Sequence, residues 1–135
     1  MRRWIALAAF AAASAHKTPD QQLVHSVEPA ISWVATLQFA GERWLANSVP
    51  SSFVRASAGA AEKDLEKAAG TIDQSQARKE LRDALRDQLA ESHDAAEQLK
   101  SAIDRNDRRS ATVSVRRFAA ASAVLQRLQK REERQ

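Results

Sequence analysis

His16, His25 and His93 are the only side chains in this 135-residue chain that could offer a metal ion an imidazole, and there is no cysteine to offer a thiolate. Helical di-metal proteins set inward-facing Glu and Glu-x-x-His pairs on facing helices. Here the order is reversed, His25-Ser-Val-Glu28, and His93 projects beside Arg82 and Lys100, away from the apolar side of its segment. His16 could chelate copper or nickel only as a free amino terminus. Without Cys-x-x-Cys-His there is no covalent haem site. The reading is therefore no metal and no cofactor. Nucleophilic chemistry fares no better, because no Gly-x-Ser-x-Gly elbow is present and three scattered glycines cannot build a loop that cradles phosphate. No catalytic residue is assigned, and the chain is read as a non-enzyme.

Charge offers more. Asp64 projects among Ala60, Ser57 and Ala68, and Arg117 among Val113, Val124 and Leu128. A charge in a core is tolerable when it is paired and hydrogen-bonded. Asp64 and Arg117 are thus expected to form a semi-buried ion pair that fixes helix register, unless each snorkels to solvent from the edge of its stripe.

Lys and Arg total 21 against 17 acids, a formal net charge of +4. The distribution is uneven: residues 62–104 are net acidic and residues 105–135 net basic. Arg116, Arg127, Lys130, Arg131 and Arg134 fall mostly outside the apolar stripe of the last segment. They could meet the acidic side of the preceding segment (Glu80, Asp83, Asp87, Glu91, Asp94), or face an anionic surface such as lipid headgroups or lipopolysaccharide. No aromatic residues interleave with these arginines, which disfavours nucleic acid.

Aromatic residues concentrate in EPAISWVATLQFAGERWL, residues 28–45. On a helix, Trp33, Leu37 and Trp44 form one shoulder of the apolar arc, either covering the core or lining a groove for a small apolar ligand. Phe39 projects roughly 140° from the stripe centre and is the candidate for a contact outside the fold. Gly41 lies at mid-stripe, where a missing side chain lets another helix come close.

These residues need helices to position them, and the sequence supplies four. Ala, Glu, Arg, Gln and Leu dominate, with only three Gly and three Pro. Helices are expected over about 18–47, 50–70, 73–104 and 108–132. The first opens on the capping box Thr18-Pro19-Asp20-Gln21 and should bend near Pro29. Gly70 is read as a helix end, Asp73 and Asp107 as N-caps, and KREERQ as a fraying terminus. Phe53 and Val113 are placed on the apolar stripes. The fold expected is all-α, an up-down-up-down four-helix bundle, monomeric or homodimeric.

The first fifteen residues read differently. A basic start (MRR), an apolar run and Ala-Ser-Ala before His16 match a cleavable signal peptide. The run is shorter than the roughly 20 residues needed to span a bilayer. The expectation is export to a bacterial periplasm, with residues 16–135 forming a single domain held by its core alone. Its expected role is binding or structural interaction with a protein or envelope component, with no catalytic site evident. The alternatives are the Trp-lined apolar pocket and anionic-surface binding through the basic last helix.

Overall fold

The computed structural model describes residues 17–134; the expected signal peptide and His16 lie outside the described residues. These residues form five helices: α1 (Pro19–Ser26), α2 (Glu28–Leu45), α3 (Ser51–Asp73), α4 (Lys79–Asp104) and α5 (Arg108–Glu133). Among them no helix is long and apolar enough to cross a membrane.

α1 and α2 are one bent rod. Thr18 and Gln21 form the reciprocal capping box that starts it. Proline at position 29 removes one backbone donor, and Val27 just before it leaves helical geometry at ψ 3°. On either side of it the ladder holds, with Val27 N–H on the Leu23 carbonyl at 3.0 Å and Ile31 N–H on the Val27 carbonyl at 3.1 Å.

Contacts fix the arrangement. Trp44 meets Ser51 and Trp33 meets Asp64, so α2 and α3 run antiparallel. Arg55–Asp104 and Arg86–Asp73 set α3 against α4 in the same sense. Glu91–Arg117 and Gln98–Ser110 do so for α4 and α5. Gln21 reaches the Glu132 carbonyl, and Gly41 lies against Val115, which closes α5 back onto α1 and α2. Leu37, Val54, Leu85, Leu89, Leu99, Phe118 and Leu125 are among the side chains sealed in the centre.

Two connections use asparagine to turn. Asn47 and Asn106 adopt positive φ (60° and 51°) just past α2 and α4. Ser48 N–H then reaches back to the Arg43 carbonyl, and Asp107 N–H to that of Ala102, at 2.8 and 2.7 Å. This is the Schellman closure, with Asn in the left-handed position usually held by Gly. Asp107 goes on to cap α5 by accepting from Ser110 N–H at 3.1 Å.

Several expected boundaries and stripe positions shift. α3 runs through Gly70 to Asp73, because Ile72 is fully buried two residues beyond that glycine and its burial outweighs the roughly 1 kcal/mol helix cost of Gly. Asp73 caps nothing and pairs with Arg86 instead; α4 begins only at Lys79. Phe53 is 51% exposed, since α3 buries the line Val54, Ala58, Ala61, Leu65, Ala68, Ile72 and Phe53 stands about 100° off it. Val113 is 42% exposed for a related reason: α5 turns its small residues Ala111, Ser114, Ala121 and Ser122 inward. The last turn does not fray. Glu132 is buried, and Arg78 Nη2 donates to its Oε1 at 3.3 Å.

Candidate functional site

The Trp shoulder is structural. Leu37 is fully buried and Trp44 is 6% exposed, with its indole N–H on Ser51 Oγ at 2.9 Å. Trp33, half-buried, donates to Asp64 Oδ2 at 2.7 Å. The two rings, three turns apart on α2, both reach α3 and close that seam. The expected groove for an apolar ligand is therefore not formed at Trp33, Leu37 and Trp44. Phe39 on the outer side of α2 is 60% exposed, with the Arg43 guanidinium 5.5 Å from its ring centroid.

The expected Asp64–Arg117 pair is also not formed. α3 and α5 sit diagonally across the core, whereas each charge is drawn to the neighbouring helix at its own edge. Asp64 takes the Trp33 indole. Arg117 Nε bonds Glu91 Oε1 at 2.5 Å and its Nη1 bonds Gln98 Oε1 at 2.8 Å. The hydrogen bond from Arg117 holds the Glu91 carboxyl below its usual range, and Glu91 in turn raises the guanidinium.

That contact is the one place where the acidic side of α4 meets a cation of α5 through an ion pair, among the described residues. Of the other acids of α4, Asp83 is engaged by Lys79 and Arg86, Glu97 by His93 and Asp104 by Arg55, while Glu80, Asp87 and Asp94 join no ion pair among the described residues. The outward side of α5 is left uncompensated. Arg109, Arg116, Arg127, Lys130, Arg131 and Arg134 are all exposed, and none is in an ion pair within the described residues.

Spacing makes these cations one surface. Arg127, Lys130, Arg131 and Arg134 follow i, i+3, i+4, i+7, so they project within an arc of about 100°, opposite buried Leu125 and Glu132. Arg116 and Arg109 continue the same line toward the amino end of α5, with exposed Val113, Ala120 and Ala123 between them. The stripe spans roughly 38 Å of helix. α5 has two acids, Glu132, which is buried, and Glu133, which projects about 100° to the side. Four basic residues line a shallow open depression of about 410 Å³ at its carboxyl end: Arg127, Lys130, Arg131 and Arg134.

Cations near a helix carboxyl terminus favour the helix dipole. Like charges at i,i+4, such as Arg127 with Arg131 and Lys130 with Arg134, disfavour the isolated helix by about 0.2–0.5 kcal/mol each. The cluster therefore carries a small local repulsion that an anionic partner would relieve.

A second grouping escaped the sequence reading. Glu62 and Glu66 on α3 face His93 and Glu97 on α4. His93 Nε2 lies 3.1 Å from Glu66 Oε1 and its Nδ1 3.4 Å from Glu97 Oε1. Read helix by helix, His93 has cations for neighbours. The signal that could have found the cluster is the matching i,i+4 spacing of two donor pairs on adjacent antiparallel helices.

No family model matches the chain, and no curated protein or solved structure matches it either.

Proposed function

We propose that this protein acts by binding at the cell envelope: a signal peptide is removed on export, and a closed up-down-up-down four-helix bundle lays the outer face of α5 on phosphate-bearing lipid headgroups. The observation that carries this reading is the row of exposed cations from Arg109 to Arg134 with no ion-pair partner among the described residues. Its supports are chemical. Guanidinium groups match phosphate geometry, the stripe has no acid to repel an anionic surface, and the bundle beneath it is packed and presents the row on a rigid helix.

Basic residues at an anionic membrane are worth about 1 kcal/mol each, so the four at the carboxyl end alone supply roughly a thousandfold partitioning at low salt. Such binding weakens once screening sets in, where the Debye length falls to about 8 Å or less.

The test is cosedimentation of the purified chain with phosphatidylglycerol vesicles, phosphatidylcholine vesicles and lipopolysaccharide. Binding to the anionic samples at low salt, lost in about 0.5 M NaCl, is expected. The quadruple variant R127Q/K130Q/R131Q/R134Q should lose at least tenfold in affinity with its helical circular dichroism intact. Equal binding to phosphatidylcholine, or unchanged binding by the variant, would overturn the reading. Preference between phosphatidylglycerol and lipopolysaccharide identifies the phosphate source.

A further inference from the structure

We infer that the α3–α4 seam holds a divalent transition-metal ion between Glu62, His93 and Glu97, with Glu66 facing the other ring nitrogen of His93 and orienting the imidazole. This site is separate from the basic face of α5.

The placement follows from helix geometry. Glu62 and Glu66 are one turn apart on α3, and His93 and Glu97 one turn apart on α4, so antiparallel packing brings both pairs to one patch. One ligand atom from each of Glu62, His93 and Glu97 lies within 4.8 Å of the others. Tetrahedral zinc, with bonds of about 2.0–2.2 Å to imidazole nitrogen and carboxylate oxygen, sets its ligands roughly 3.3 Å apart. Rotamer adjustments of two glutamates cover that difference. The donor set of one imidazole and two carboxylates suits zinc and its first-row neighbours and lacks the thiolate that would select softer ions.

Three further features point to a cation here. First, both ring nitrogens of His93 lie beside carboxylate oxygens, at 3.1 Å and 3.4 Å. A neutral imidazole has one N–H, so one nitrogen would set a lone pair against a carboxylate. A metal ion on that nitrogen replaces the repulsion with two bonds. Second, Glu62 is a sheltered carboxylate that already holds a cation, with Lys100 Nζ 2.8 Å from Oε1 and donating to Oε2 at 3.0 Å. Third, three carboxylates against Lys100 leave the patch at a formal −2 with a neutral ring, the charge a divalent ion cancels. Glu62 and His93 are largely sheltered, with side chains 14% and 24% exposed, while Glu66 and Glu97 form the open rim through which an ion enters.

Bound there, the ion would cross-link α3 and α4, and Lys100 is its competitor for Glu62. The experiment is zinc titration of the chelator-treated full chain by calorimetry, with thermal unfolding measured in parallel. One strong site per chain and a higher unfolding midpoint are expected. H93Q and E97Q should each weaken binding by about tenfold or more. H25Q, remote from the patch, should leave it unchanged, and K100M should tighten it. Circular dichroism of each variant establishes that it is folded. If zinc neither binds stoichiometrically nor raises the midpoint, the inference is overturned. Binding that survives both H93Q and E97Q, or that H25Q abolishes, overturns it equally.

Discussion

The indole N–H of Trp33 donates to Asp64 Oδ2 at 2.7 Å, tying the middle of α2 to the middle of α3 across a half-buried seam. A hydrogen bond to a charged acceptor contributes about 1.5–3 kcal/mol, and orphaning a buried donor costs a similar amount. Asp64→Ala is therefore expected to destabilise by about 1–2 kcal/mol, allowing for partial exposure, and Asp64→Asn by less because an amide oxygen still accepts. Urea unfolding of D64A, W33F and the double variant should give a coupling of about 1 kcal/mol. A coupling of zero would show that the contact contributes nothing.

Glycines at 41, 59 and 70 are all helical, yet alanine should act on them with opposite signs. A Cβ on Gly41 would lie 2.6 Å from Val115 Cγ2, whereas one on Gly59 or Gly70 meets nothing within 4 Å. Overpacking costs about 1–3 kcal/mol, and replacing helical Gly by Ala gains about 0.5–1 kcal/mol. G41A should thus destabilise by about 1–2 kcal/mol, and V115A should recover part of that loss. G59A and G70A should each stabilise by about 0.5–1 kcal/mol. Thermal and urea unfolding of the four variants checks the signs.

Arg78 gathers the open end of the bundle. Its Nε meets Asp20 Oδ2 at 2.5 Å, its backbone N–H meets Asp20 Oδ1 at 2.9 Å, and its Nη2 meets the buried Glu132 at 3.3 Å. Burial alone would push the Asp20 carboxyl up, but the hydrogen bonds and charge of Arg78 outweigh it and leave the group below its usual range. A depressed carboxylate stabilises fully above its unfolded pKa, about 3.9 for Asp, and that stability is lost as pH falls through the lower folded value. Glu91, lowered by Arg117, acts in the same direction. Stability should hold near neutrality and fall below about pH 4. R78M should flatten this acid limb by about one linked proton and lower stability at pH 7, where Glu132 is left without its cation. An acid limb unchanged in R78M would dissociate Asp20 from that guanidinium.

Much of this architecture is legible from local chemistry. The Thr18–Gln21 box, the bend at Pro29 and the Asp107 cap each depend on residues within a turn or two of one another. The large apolar residues of α4, from Leu81 through Leu99 to Ile103, are buried as their periodicity requires. Phe39 is exposed where its angle puts it. Gly41 packs against another helix as its place at mid-stripe suggests.

What escaped the sequence depends on partners distant in the chain. Small residues carry little hydrophobic signal, so the inward side of α5 (Ala111, Ser114, Ala121, Ser122) is set by how closely α2 approaches at Gly41. Choosing that side turned Val113 outward and moved Arg117 to the α4 edge, where Glu91 was waiting. Buried Ser92 and Ser114 satisfy their hydroxyls on their own helices, through the carbonyls of Gln88 and Ser110, and so are tolerated in the core. The unpaired state of the α5 cations is equally a tertiary result, because the packing of α4 on α5 brings only Arg117 to an acid of α4 in an ion pair among the described residues.

Composition, periodicity and capping thus determined that the described chain is helical, roughly where its rods begin and end, and which large side chains leave water, because these depend on interactions within a few residues. The tertiary structure alone decided which charges meet. Ion pairs and donor clusters form between rods, and a rotation of one helix by a fraction of a turn exchanges every partner along its edge.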